Sequence, residues 1–140
     1  MTYAPVIQTQ ADLEEVWRTL MSPLGFGGHS VWLMFIGADD RPVPQLTQIE
    51  DAETPPDGQV LDGLAQVLGS VVEELVPGGR VACLRSRPGS AAVTADDRAW
   101  ASGLYDACRR AGLPAEVVHL ATDVELLPLP LDELPVPQSA

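Results

Sequence analysis

The chain has 140 residues, 46% of them hydrophobic, which is the size of one domain with one core and needs neither disulfides nor a metal to fold. Twenty acidic residues stand against eight basic ones, all arginine, and the net charge of -12 opposes binding to phosphate backbones, so nucleic acid is not an expected partner. No run approaches the ~18 apolar residues of a membrane span, and Cys83 and Cys108 lack CxxC spacing, which excludes a membrane protein, a disulfide scaffold and a zinc finger. Free buried thiols in a reducing compartment are expected, and no positively charged, then apolar leader occupies residues 1–10, so a cytoplasmic protein is expected.

From Gln10 to Met21 the apolar residues Leu13, Val16, Trp17 and Leu20 recur at helical spacing behind an acidic first turn. A breaker-rich loop, Ser22 to His29, leads to the continuous apolar run Val31 to Ile36, read as a strand covered on both faces. Turn residues Gly37 to Pro42 then join it to Val43–Ile49, which Pro44 restricts to an edge or irregular strand, so the pair reads as a hairpin. After an acidic loop, the apolar positions from Val60 to Leu75 form a surface wider than one stripe, predicting a helix central to the core. Gly63 and Gly69 inside that helix imply close approach of another backbone.

Pro77-Gly78-Gly79 ends the helix, Arg80 to Leu84 reads as a buried strand, and Arg85 to Ser90 reads as a loop. Thr94 followed by Asp97 is a capping-box variant that starts a third helix with Trp100, Leu104, Ala107, Cys108 and Ala111 on its buried side. Gly112 and Pro114 stop it. Glu116 to Leu120 predicts a fourth strand and Val124 to Leu127 a short fifth. Beyond them, Pro128, Pro130, Pro135 and Pro137 predict an extended tail, which divides the chain into a domain over 1–127 and a proline-rich segment over 128–140.

The expected fold is therefore α/β, a three-layer-like sandwich of a mixed sheet with four to five strands and about three helices. This order, with its local signatures, resembles the JAB (MPN) domain in its bacterial RadC-like form, over about Ala11 to Leu129. The resemblance lies in the run Val31-Trp-Leu-Met-Phe-Ile-Gly-Ala-Asp-Asp-Arg-Pro-Val43 and in Arg85-Ser86-Arg87-Pro88-Gly89-Ser90, which is similar to the family's metal loop, His-Xaa-His-Pro-Ser-Gly. Thr94 and Asp97 take positions similar to the family's Ser and Asp, with the loop one residue shorter. The resemblance implies a JAB/cytidine-deaminase-like sandwich. It also implies that Arg85 and Arg87 stand where the family has its zinc-binding histidines.

Arginine does not deprotonate and repels a cation. No metal, no cofactor and no catalytic residue is expected, because hydrolysis of the family's type needs a metal-bound water. The expected function is a non-catalytic interaction or scaffold module, with Arg85, Arg87, Thr94 and Asp97 as a site for an anionic group, a peptide carboxylate or a partner. An unknown protein or peptide partner and a homodimer are compatible with it. The alternatives are a divergent hydrolase using Asp96, Asp97, His119 or Cys83, and a nucleic-acid accessory protein. His29 and His119 have no partner at ligand spacing, and Gly25-Phe-Gly-Gly28 resembles a phosphate loop only superficially, since it precedes a strand and lacks lysine.

Overall fold

A computed structural model describes residues 5–131, the side chain of Gln45 excepted. The element order is α1 (Gln10–Met21), β1 (Ser30–Ile36), β2 (Pro42–Ile49), α2 (Gly58–Leu75), β3 (Arg80–Ser86), α3 (Ala95–Arg110), β4 (Val118–Ala121) and β5 (Leu126–Leu129). The strands form one mixed sheet in the order β2-β1-β3-β4-β5. Of the paired strands only β3 and β4, joined through α3, are parallel; β2 and β3, joined through α2, are separated in the sheet by β1, which pairs antiparallel with both.

Alternation along the strands sorts side chains between two apolar layers. Met34, Ile36, Ala82, Leu84, Ala121 and Leu126 face α1 and pack with Leu13, Val16, Trp17 and Met21, and with Ile7 ahead of the helix. On the opposite face Val31, Leu33, Phe35, Val81, Cys83, Val118 and Leu120 meet Leu68 and Val72 of α2 and Trp100, Leu104 and Cys108 of α3. The result is helix, sheet, helix pair, the α/β sandwich expected from the order of elements.

Local chemistry sets the helix ends. Thr9 with Asp12 and Thr94 with Asp97 both close complete capping boxes, and α2 starts on the Asp57 side chain. At the end of α3, Gly112 takes φ +71°, and the Leu113 and Gly112 N–H groups donate to the carbonyls of Cys108 and Arg109.

Several expectations change. β3 continues to Ser86, so Arg85 is a strand residue paired with Leu120, because β4 offers it a parallel ladder. β5 runs to Leu129, paired with Val118, so Pro128 and Leu129 belong to the sheet and the ordered part extends past the expected boundary at residue 127. Pro128 is tolerated because β5 is an edge strand. The rest of the expected tail, 132–140, lies outside the described residues.

Helix α2 buries only Ala65, Leu68 and Val72, and leaves Val60, Val67 and Leu75 each more than half exposed. It is therefore an outer-layer helix and not the centre of the core. No backbone crowds Gly63 or Gly69: a Cβ on Gly63 would meet open space, and one on Gly69 only the Ala111 methyl. The tight glycines are Gly79, pressed against the Ile36 and Val76 carbonyl oxygens, Gly37, pressed against the Asp39 carboxylate, and Gly103, pressed against Leu61 and Pro56. Arg80, which reads as ordinary surface in sequence, starts β3 and joins three segments. It donates to Asp40 at 2.8 Å, to the Ile7 carbonyl at 2.7 Å, and to Glu116.

Candidate functional site

The residues singled out at the third strand and third helix do come together. Arg85, at the end of β3, points to the α2/α3 face like Cys83 two residues earlier, and Arg87 follows at the first position beyond the strand. Asp97 is the third residue of α3, where the capping box already turns its carboxylate back toward the chain. The strand end and the helix start thereby aim two guanidinium groups and one carboxylate at the same point.

All three side chains are buried: Arg85 is 2% exposed, Arg87 6% and Asp97 0%. Arg85 Nε donates to Asp97 Oδ1 at 2.9 Å, its Nη1 donates to the Ala52 carbonyl at 2.6 Å, and its guanidinium carbon lies 5.9 Å from the centre of the Trp100 ring. Arg87 Nε donates to Oδ1 of Asp97 at 2.8 Å and its Nη2 to Oδ2 at 2.8 Å, the two-pronged geometry that a guanidinium makes with a carboxylate. The other Arg87 donors reach the carbonyls of Pro88, Ser90 and Ala92 at 2.9 to 3.1 Å. The Thr94 N–H adds a further bond to Asp97 Oδ2 at 2.9 Å, while the Thr94 hydroxyl accepts from Asp97 N–H.

Burial alone raises the pKa of a carboxyl. At Asp97 the hydrogen bonds from Arg87, the Thr94 N–H, Arg85 and the Thr94 hydroxyl outweigh it and hold the group at about 2. Arg87 is shifted up by its bond to Asp97, against the cost of burial, with added attraction from Asp97 and Asp123. Two cations thus face two carboxylates, Asp97 in contact and Asp123 at longer range.

In this geometry the two arginines of the expected anion site are already engaged within the protein. Arg87 directs Nε, Nη1 and Nη2 to acceptors of the protein, and both arginines bond the same internal carboxylate, so an external anion would have to displace Asp97. Arg85, Arg87, Thr94 and Asp97 form a buried clamp that fastens β3 to α3. Two of its parts are not visible in sequence: the Ala52 carbonyl, brought in by the loop after β2, and Asp123, whose carboxylate accepts the Gly89 N–H at 2.9 Å and the Phe26 N–H at 3.0 Å. Those bonds, that to Gly89 first, lower the Asp123 pKa. The glycine loop that superficially resembles a phosphate loop therefore spends the Phe26 N–H on the protein's own carboxylate.

The donor set does not suit the zinc ion that the JAB resemblance implies. Guanidinium groups do not ligate, and both oxygens of Asp97 are occupied. Among the described residues, no group of three or more His, Cys, Asp or Glu side chains is placed to hold a metal.

The residues named for a divergent hydrolase do not meet either. Cys83 faces the α2/α3 layer, whereas His119, which alternates with Leu120, faces α1, so the sheet separates them. Asp96 is exposed on the first turn of α3, and Asp97 is held in the clamp. His119 is 0% exposed, bonded through Nδ1 to the Val117 carbonyl at 3.1 Å, with Nε2 unpartnered. Burial lowers its pKa, partly offset by the Val117 carbonyl and Glu14, with Arg18 acting in the same direction as burial.

An open concavity lies elsewhere, a groove of about 770 Å³ between α1 and the β2 edge. Leu20, Met34, Pro44, Leu46, Leu75 and Pro77 contribute to its mainly apolar wall. Comparison with known proteins adds no functional assignment, since no family model and no curated protein matches the chain.

Proposed function

We propose that the protein is a non-catalytic interaction or scaffold module on a JAB-like α/β sandwich, in which an Arg–Asp–Arg clamp occupies the place that the family gives to its metal. The observation that supports this reading is Asp97: fully buried, ionised and bonded by both arginines that replace histidines of the resembled pattern. The clamp holds the loop in shape and leaves no base or nucleophile at its surface. Partner binding then falls to the outer surface, and the apolar groove beside β2 is the part of it best suited to an apolar protein or peptide segment.

Two measurements test the reading. Calorimetric titration of the dialysed chain with zinc should show no saturable site; one-to-one binding that disappears in Asp97→Asn would overturn it. Affinity capture with wild-type bait beside a folded Leu20→Glu, Leu46→Glu bait should then yield partners lost from the double variant. If every captured protein is retained by that variant, the groove is not the contact surface.

A further inference from the structure

Helix α2 carries an apolar row on a side that the sheet and α3 leave largely open. Val60, Leu64, Val67 and Val71 follow one another at spacings of four and three residues, and Leu75 closes the row. Val60, Val67 and Leu75 are each more than half exposed, and Leu64 and Val71 are only partly buried. The core takes another side of the helix, with Ala65, Leu68 and Val72. Helix α3 takes a third: Arg110 bonds Asp62, and a Cβ on Gly69 would touch the Ala111 methyl. At about 100° per residue, Asp62 and Gly69 stand opposite the row, which therefore runs along the flank of α2 turned away from α3. At the sheet edge β2 turns Val43 and Ile49, both partly buried, and the exposed Thr47 toward the same layer, so the layer is thinly covered there.

Alternating four-and-three spacing is the seam along which one helix seats another. From Val60 to Leu75 the row is about 22 Å long, which is about four turns of a helix. Charge then selects the kind of helix. Between residues 42 and 79 the sequence holds seven carboxylates and no arginine, lysine or histidine. Glu50, Asp51 and Glu53 are exposed in the loop ahead of α2, and Glu73 and Glu74 are exposed in its last turn. That last turn has no basic residue, so its two carboxylates sit unrelieved at the negative end of the helix dipole, where a cation is favoured.

We infer that the α2 row seats an amphipathic helix of a partner protein, apolar on one face and flanked by lysine and arginine, which lies beside α2 as a third helix of the layer. Its cations meet the carboxylates at both ends of α2. A second copy of this chain fits poorly, because it would bring the same carboxylates against this acidic frame. The chain's own last residues, with Asp132, Glu133, Pro135 and Pro137, are neither basic nor suited to a helix interior. The seat is distinct from the groove beside β2, which it meets only at Leu75, and it does not depend on the JAB-like reading.

The probe is a fluorescein-labelled peptide of about 18 residues, leucine and lysine set at helical spacing, read by anisotropy against the full-length chain in about 0.15 M salt. Saturable one-to-one binding is expected, with a gain of peptide helicity by circular dichroism and a loss of about tenfold or more in Val60→Glu, Val67→Glu. The control Val124→Glu, Leu131→Glu adds the same charge at exposed positions outside the seat and should bind at least as well as wild type. Loss in the first variant alone therefore separates an apolar seat from general attraction to an acidic protein. Glu73→Gln, Glu74→Gln should weaken binding about threefold, and a peptide with glutamate in place of lysine should not bind. If Val60→Glu, Val67→Glu disturbs folding, Val60→Ser, Val67→Ser takes its place. Unchanged binding in the row variant, equal binding of the glutamate peptide, no saturable binding, or a dimer of the chain in sedimentation that dissociates in the row variant would each overturn the inference.

Discussion

At Asp97 one carboxylate serves two purposes that sequence presents as one. Its spacing from Thr94 marks a capping residue, and it is one, but two buried guanidinium groups also depend on it. Removing one partner from such a cluster leaves uncompensated buried charge, which costs far more than a lost surface pair. Asp97→Ala should therefore destabilise the fold by about 3–5 kcal/mol, measured by urea unfolding at pH 7. In contrast, Arg18→Ala should lie within about 0.5 kcal/mol, because the Arg18–Glu14 pair is solvated. A Thr94→Ala variant, which loses only the hydroxyl cap, should fall between them, at about 1 kcal/mol.

At the clamp the fold brings together the residues of the sequence motif, with both guanidinium groups turned inward. Arg85 and Arg87 look like loop charges next to Pro88 and Gly89, and whether a guanidinium turns out to solvent or inward depends on what lies across from it. Here that is Asp97 and the carbonyl of Ala52, which is 33 positions earlier in the chain. The buried strand from Arg80 to Leu84 was readable. That β3 extends far enough to include Arg85 was not, because the β4 partner of that extension, Leu120, is distant in sequence.

Among the elements, α2 departs most from its pattern. Its apolar positions span more than one face, yet only the side toward the sheet and α3 is covered, and Val60, Val67 and Leu75 remain in solvent. Periodicity reports how many apolar residues a helix carries, not how many neighbours will cover them. The same distinction separates its glycines from Gly79. Gly63→Ala should stabilise the protein by about 0.5–1 kcal/mol, since the site is open and alanine restricts the unfolded chain. Gly79→Ala should destabilise it, because a Cβ there presses on the Ile36 and Val76 carbonyl oxygens, which are backbone and cannot move aside. Melting both variants beside the wild type checks the opposite signs.

For the molecule as a whole, two buried groups predict how stability follows pH. Asp97 has a folded pKa near 2, below its usual 3.8, so its contribution is present above 3.8 and is lost as pH falls toward 2; the shift corresponds to about 2 kcal/mol. His119 is lowered from 6.5, so the unfolded chain takes up that proton first, and stability falls as pH drops below about 6.5. Urea midpoints should accordingly decline in two stages, between pH 7 and 5 and again below pH 4. His119→Asn should flatten the first stage alone. An unchanged slope between pH 7 and 5 in that variant would assign the decline to other groups.

What the sequence determined by itself was local: a first helix over Gln10 to Met21, the helix start at Thr94, the stop at Gly112, the apolar strands β1 and β3, and from their order a mixed α/β sandwich. These follow from side chains acting on backbone within a few residues, so periodicity and capping chemistry carry them. Only the tertiary structure decided that Arg85 and Arg87 turn inward onto Asp97, that Cys83 and Cys108 share one apolar layer while His119 lies across the sheet, and that β5 takes in Pro128 and Leu129. Those arrangements depend on partners well beyond the neighbouring residues, from 9 positions away at Pro128–His119 and 10 at Arg87–Asp97 to 33 at Arg85–Ala52. Strand pairing and layer packing, not local preference, choose such partners, because burial leaves each charged or polar group only those neighbours that the fold brings to it.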